Sequence, residues 1–168
     1  MKEISVFEIN DNVFKAVGKD WMLVTAGDKD SFNMMTASWG GFGWLWNRPV
    51  AFVFVRPERY THDFIERSNT MTLSFLEDGH REILNLCGTK SGRDIDKIKA
   101  TGLAPVFTES GNVLYAQARL SLECRKLFKV GMEKSAFIDA SLLDRFYNAE
   151  EGNLHDIYIV GIEKVWVG

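Results

Sequence analysis

Apolar and polar side chains alternate with a period of two along several stretches of this chain, the pattern of strands that bury one face. The longest runs from Leu114 to Cys124. Leu114, Ala116, Ala118, Leu120, Leu122 and Cys124 fall on one side of it, and Tyr115, Gln117, Arg119, Ser121 and Glu123 on the other. Met71 to Phe75 repeats the pattern briefly, and Ile157 to Val167 extends it with Gly161 as a bend or bulge. Val50 to Val55 is apolar at every position, as a strand covered on both faces would be. Pro49 stands at its entrance, and the strand is expected at the centre of the barrel. Trp21 to Ala26 and Met34 to Trp39 add two strands, which the polar turn Gly27 to Ser31 joins into a hairpin.

Helical signals are few and short. Thr61 can cap a segment through Arg67, Arg81 to Cys87 is stopped by Gly88, Asp94 to Thr101 is stopped by Gly102, and a fourth segment covers Ser141 to Tyr147. A mainly β chain with short helices predicts a closed or split β-barrel rather than a parallel α/β sheet. With 168 residues, 46% of them apolar, and no linker, repeat or low-complexity stretch, the expectation is one domain over residues 1–168.

Composition narrows the function classes. No apolar run approaches the roughly 20 residues of a spanning helix. Met1 to Ser5 carries an early acid and no apolar export region, so a cytoplasmic protein is expected. The net charge of -3, with both signs scattered, supplies no field for nucleic acid. The two cysteines, Cys87 and Cys124, read as reduced thiols. His62 and His80 read as solvated, and no metal set can be assembled from the three histidines.

Three stretches carry candidate chemistry. In Arg56-Pro57-Glu58-Arg59-Tyr60-Thr61, directly after the apolar strand, two guanidinium groups, a hydroxyl and the amides of a new helix converge, a combination suited to a phosphate monoester. The same residues also read as a solvated turn with a helix cap. Asn33 to Gly41 places Thr36, Ala37, Ser38 and Trp39 on a strand ending in two glycines. Such small residues admit a flat ring to the backbone, or simply pack against another strand. Cys87-Gly88-Thr89-Lys90-Ser91-Gly92-Arg93-Asp94 is a Gly and Ser loop offering backbone donors to an anion. It lacks the spacing of a nucleotide P-loop, and Gly40-Gly41-Phe42-Gly43 does not meet the dinucleotide fingerprint.

In this order, the stretches resemble the flavin reductase-like family of FMN-binding split barrels, near its flavoredoxin-like branch. The motifs are Asn-x-Met-Thr-Ala-Ser-Trp, an apolar strand running into Arg-Pro-x-Arg-Tyr-Thr, then Cys-Gly-Thr-x-Ser-Gly-Arg-Asp-x-Asp-Lys, with Asn153 to Gly161 similar to a final His-bearing strand. The resemblance covers about Trp21 to Val167. It implies a Greek-key split β-barrel and FMN rather than FAD. By it, Thr36, Ala37, Ser38 and Trp39 lie along the isoalloxazine ring, and Arg56, Pro57, Arg59, Tyr60 and Thr61 hold the ribityl phosphate. Cys87, Gly88, Ser91 and Gly92 form the loop that closes over that end. It further implies a homodimer with FMN near the interface, which would account for an apolar loop of Phe42, Trp44, Leu45 and Trp46; a loop buried within one subunit is the other reading. His155 is either a residue near the substrate, as the resemblance implies, or a hydrogen-bonding residue at a strand entrance. Its neighbour Asp156 departs from what many reductases carry there. The implied activity is an NAD(P)H-dependent flavin reductase passing hydride to flavin N5. The alternative is a flavoredoxin-like carrier reduced by an electron-donor protein without NAD(P)H turnover of its own.

Overall fold

The computed structural model describes residues 1–148 and 153–168. Ten strands are present among them: β1 (Lys2–Ile4), β2 (Met22–Gly27), β3 (Phe32–Ala37), β4 (Gly40–Leu45), β5 (Arg48–Val55), β6 (Thr70–Leu76), β7 (Pro105–Phe107), β8 (Val113–Tyr115), β9 (Ala118–Gly131) and β10 (Asp156–Val167). The α-helices are α1 (Val13–Lys15), α2 (Tyr60–Arg67), α3 (Arg81–Thr89), α4 (Lys97–Thr101) and α5 (Ser141–Phe146). No helix among the described residues is long and apolar enough to cross a membrane.

Eight strands form one antiparallel sheet in the order β3-β2-β6-β9-β10-β5-β4, with β1 added alongside β10. The β2–β3 hairpin pairs Met22 with Ala37 and Gly27 with Phe32, as the alternation predicts. β10 pairs with β9 along its length, but changes partner on its other edge. Asp156 to Gly161 lie against β5, and Val165 to Val167 against β1. Register shifts after Ile159 and after Ile162 bracket Gly161, which therefore sits at the expected irregularity. Its missing side chain leaves room for Arg48 and Leu127, whose nearest atoms would stand 3.2 and 3.1 Å from a Cβ there.

The apolar run in β5 is not central, because β5 lies one strand in from the edge. Ala51, Val53 and Val55 face the main core, while Phe52 and Phe54 on the other face are only half-buried. A pocket wall and a second core layer produce the same apolar pattern. The strands buried on both sides are β2 and β6. Val24, Met71, Leu73 and Phe75 join the main core, and Leu23 joins a second cluster with Met34, Leu84, Cys87, Leu103 and Tyr115 that docks α3 and the β7–β8 hairpin.

The expected strand Leu114 to Cys124 is broken. Tyr115 ends β8, the amide of Ala116 donates to Ala104, and β9 starts at Ala118. Alternation continues through the corner, so the period alone does not reveal it. Nor are Ser121 and Glu123 solvent-facing. Ser121 pairs with Ser74 at 2.9 Å, and the Glu123 carboxylate accepts from Trp166 Nε1 and Asn112 Nδ2, each at 2.6 Å, and from Thr108 Oγ1 at 3.0 Å.

Helix ends differ from expectation in instructive ways. Thr61 lies inside α2, and the N-cap position is Arg59. Gly88 does not stop α3, which continues to Thr89. Gly102 does end α4, in the left-handed region at φ 68°, although α4 begins at Lys97 after the Asp96 cap. α5 falls where the sequence places it. The segment read as an apolar loop is β4, an edge strand. Trp44 and Trp46 are exposed, which sets aside a loop buried within one subunit.

Replacing Glu123 with Ala strands three donors in a nearly dry position, and should lower stability by about 2–4 kcal/mol. Urea unfolding checks this, and a midpoint equal to that of the parent protein would refute it.

Candidate functional site

Two cavities meet at one side chain, Arg59. The first, a slot of about 170 Å³, is lined by Met35, Thr36, Ala37, Ser38 and Trp39 along β3 and the turn after it, with Phe54, Arg56, Arg59 and His155 opposite. β3 ends the sheet, so one row of its backbone amides and carbonyls has no strand partner and is available to a ligand. The strand is held from behind, where Thr36 Oγ1 donates to the Leu84 carbonyl of α3 at 2.5 Å. Gly88 of α3 passes close enough that a Cβ would touch the Thr36 side chain at 3.4 Å.

The second cavity, about 220 Å³, is lined by the start of α2 (Arg59, Tyr60, Thr61), by Asn33, and by Gly88, Thr89, Lys90, Ser91 and Gly92, with Glu58 and Lys97. No side chain caps the first turn of α2; the His62 amide turns back to the Arg59 carbonyl at 2.8 Å, which leaves those of Tyr60 and Thr61 for a ligand. Thr61 is buried and its hydroxyl accepts from Asn33 Nδ2 at 2.8 Å. The Asn33 amide in turn backs the loop, since a Cβ on Gly92 would lie 2.2 Å from Asn33 Oδ1. Arg93 clamps the loop to α2. Its guanidinium donates to Asp63 at 2.6 Å and to the Glu58 carbonyl at 3.3 Å, and lies 4.5 Å from the Tyr60 ring centroid.

Charges in this corner are partly desolvated. Arg59 donates to the Cys87 carbonyl at 3.3 Å, and burial lowers its pKa, with Glu58 opposing and Arg56 adding to the shift. Lys97 is 5% exposed, and its Nζ donates to the carbonyls of Met34 at 2.8 Å and Cys87 at 3.1 Å. Burial pushes its pKa down to about 8, the Cys87 thiol opposing and Arg59 reinforcing.

The residues singled out from sequence thus divide. Thr36, Ala37, Ser38, Trp39, Arg56, Arg59 and His155 line the slot, and Arg59, Tyr60, Thr61, Gly88, Ser91 and Gly92 line the second cavity. Arg56 does not line the second cavity. It donates to the carbonyls of Phe146 at 3.0 Å and Asn153 at 3.2 Å. The Cys87 thiol is packed in the second core cluster, and only its carbonyl faces the cations. Pro57 lines a separate, wider depression that also reaches His155.

His155 is buried with Nδ1 2.9 Å from the Tyr147 hydroxyl, and its ring is 5.2 Å from that of Trp39. Burial, then the charge of Arg56, push its pKa down to about 4, so it is neutral near pH 7. Trp39 is further flanked by Phe146 at 5.4 Å and Tyr147 at 6.4 Å. His62 is not solvated, because its Nε2 pairs with Asp156 at 2.8 Å, and no metal-binding group of His, Cys, Asp and Glu occurs among the described residues.

Phe54 and Tyr147 were not legible as site residues, whereas Asn33 and Lys97 stand at the ends of the two quoted motifs without a role being assigned to either. Lys97 left a further signal: a lysine in the first position of a helix opposes the helix dipole, a local inconsistency that marks a residue placed for another purpose.

Comparison with known proteins agrees with this architecture. A search of curated proteins finds no match. Among solved structures, an FMN-binding protein from Thermus thermophilus with bound p-hydroxybenzaldehyde superposes with a TM-score of 0.68 at 19% identity, covering 100% of this chain and 82% of that one. The flavoredoxin of Desulfovibrio vulgaris (Miyazaki F) gives 0.68 at 22%, covering 100% and 77%. An NADH:FAD oxidoreductase from Streptomyces globisporus C-1027 gives 0.64 at 19%, covering 89% and 75%. At these identities the likeness speaks to the fold, the split barrel of flavin reductase-like proteins. The model of the flavin reductase like domain matches residues 14–168, and the chain accordingly belongs to that family.

Proposed function

We propose that this chain binds FMN and acts as a flavin oxidoreductase, taking hydride from NAD(P)H. The observation that carries the reading is the pair of cavities joined at Arg59, a narrow slot beside an anion corner. The residues fit the cofactor. Gly92 stands where a side chain would intrude on Asn33, and Arg59, Thr61, Ser91 and the first amides of α2 form a donor set for a terminal phosphate monoester. When bound, the isoalloxazine accepts and releases hydride at N5.

The protein's part is to bind, orient and exclude water. Thr36 to Trp39 offer backbone donors and acceptors along one side of the slot, and Phe54 closes the other with an apolar face. Arg56, tied to the carbonyls of Phe146 and Asn153, places positive charge near the slot. His155 stays uncharged at neutral pH and, held by Tyr147, presents a fixed ring at the slot wall beside Trp39. A second reading, a carrier reduced by a protein partner, draws on Phe146 and Tyr147, which crowd one side of Trp39 at the slot and narrow the room for a nicotinamide there.

The reading includes a homodimer. Phe7, Trp44, Trp46 and Phe128 are exposed and associate pairwise, Phe7 with Trp44 at 6.0 Å and Trp46 with Phe128 at 6.3 Å between ring centroids, on and around an edge strand.

Three outcomes are expected. Purified protein quenches FMN fluorescence, and Arg59→Ala weakens that binding by roughly 10- to 100-fold; unchanged affinity would remove Arg59 from its role. Under anaerobic conditions, NADH or NADPH bleaches the bound flavin, whereas bleaching by dithionite or a reduced partner protein alone would establish the carrier. Light scattering gives twice the chain mass for the parent protein and a monomer for the Trp44→Asp, Trp46→Asp double variant; a monomeric parent would refute the dimer.

A further inference from the structure

The excursion between β9 and β10 adds no described residue to either core cluster. Its helix α5 buries none of its residues, and what it delivers to the site is Tyr147, the residue at its C-terminal cap. The Tyr147 amide donates to the Leu143 carbonyl at 2.9 Å. Its ring lies 5.6 Å from that of Phe137 between centroids, and the Arg56 guanidinium stands 5.3 Å from its centroid. Ordering such a segment costs conformational entropy that no core burial offsets, so the placement of this one ring calls for a reason.

The Tyr147 hydroxyl is 2.9 Å from His155 Nδ1 and 3.5 Å from Met132 Sδ. One phenolic proton cannot serve both. Imidazole nitrogen is the stronger acceptor and thioether sulfur a weak one, so the proton goes to Nδ1, and the neutral imidazole carries its own proton on Nε2. The ring is not free to turn over. Trp39 and Phe54 flank it at 5.2 and 6.4 Å between centroids, and the His155 carbonyl accepts from the Met132 amide at 2.9 Å. Tyr147 lines the wide depression but not the slot, so the Nδ1 edge faces away from the slot and Nε2 toward it. Nε2 has no partner among the described residues, although the residue is only 8% exposed. Among those residues Arg48 Nε is the one fully buried side-chain polar atom without a hydrogen bond, so Nε2 keeps access to the slot.

We propose that Tyr147 is a positioning residue that fixes His155 as a neutral Nε2–H donor, aimed at a carbonyl oxygen of the molecule that exchanges electrons with the flavin. The inference rests on the FMN reading above and names the group recognised beside it. An N–H donor left without an acceptor in the protein matches an oxygen lone pair, whereas the opposite tautomer would present a bare nitrogen and select a hydroxyl or an amine. Two carbonyls meet the description, and they act in opposite half-reactions. The carboxamide of NAD(P)H is present while hydride passes from nicotinamide C4 to flavin N5. A quinone-like acceptor is present while reduced flavin gives up two electrons and two protons, which turn the quinone into its hydroquinone.

Nitrogen NMR of the full chain with isotope-labelled histidine, recorded near neutral pH without flavin, reads the tautomer, and His155→Gln marks the signal. The parent protein should show Nε2 protonated and Nδ1 bare, and Tyr147→Phe should shift the ring toward the other tautomer. A parent with Nδ1 protonated overturns the proposal, as does a spectrum that Tyr147→Phe leaves unchanged; if that variant does not fold, the parent spectrum decides alone. Rapid mixing of the flavin-loaded protein then locates the carbonyl. Tyr147→Phe should leave the FMN dissociation constant within about threefold and slow one half-reaction by roughly 3- to 10-fold. Slower reduction by NADH or NADPH assigns the contact to the carboxamide, and slower reoxidation by p-benzoquinone but not by ferricyanide assigns it to the acceptor. Parent rates in both half-reactions overturn the carbonyl contact. Failure of the NMR arm defeats the role of Tyr147 alone, whereas a parent that binds no flavin defeats the cofactor reading and the carbonyl contact with it.

Discussion

The C-terminal end of α3 sets the character of the site. The last carbonyls of a helix lack intrahelical partners and carry the negative end of its dipole. Among the described residues the Cys87 carbonyl takes no backbone donor and is met by Arg59 and Lys97 instead. A helix end thus gathers two cations in a half-dry corner, with the uncapped start of α2 facing them. The two cations and the start of α2 contribute positive potential, against which stand the Cys87 and Met34 carbonyls and Glu58 of the cavity lining. Backbone donors and cations so arranged suit an anion, as the proposed FMN site requires.

That corner holds its shape because α2 is anchored from several directions. His62 pairs with Asp156, which also reaches Lys129 at 3.0 Å. Lys129 reaches Glu66 at 2.7 Å, and Glu66 accepts from the Tyr158 hydroxyl at 2.7 Å. The Lys129–Glu66 pair is solvent-screened and contributes little singly, but its linkage through Asp156 to the half-buried His62 ties α2 to β9 and β10. Phe64 and Ile65 bury the apolar side of the same helix in the main core. The Arg93 clamp then fits the Ser91–Gly92 loop to a surface that is already rigid.

How much of this was legible depends on whether the signal was local. The hairpin of β2 and β3, the strands β6 and β10 and the bend at Gly161 show in the sequence because each is one continuous local segment, although β2 and β6 are buried on both faces. The Thr36 to Trp39 wall and the Arg59 to Thr61 turn show for a similar reason, as compact motifs of adjacent residues. The corner between β8 and β9 does not, because Ala116 and Gln117 keep the period while the backbone turns. Glu123 reads as an outward residue because its three donors, Thr108, Asn112 and Trp166, come from other elements. The apolar run in β5 is ambiguous for a different reason, since Phe54 serves a cavity rather than a second layer.

The order of the sheet has a kinetic corollary. Apart from its hairpins, the pairings join distant segments: Val55 lies beside Asp156, Thr70 beside Arg125, and Lys2 beside Val167. Such closures place a domain among the slower folders, because chain entropy is lost before the contacts that compensate it form. The slot and the anion corner draw on β3, β5, α2, α3 and His155 together, so no early fragment contains a working half of the site. Ligand binding is therefore coupled to the completed sheet, and it raises the resistance of the whole molecule to unfolding rather than stiffening one loop.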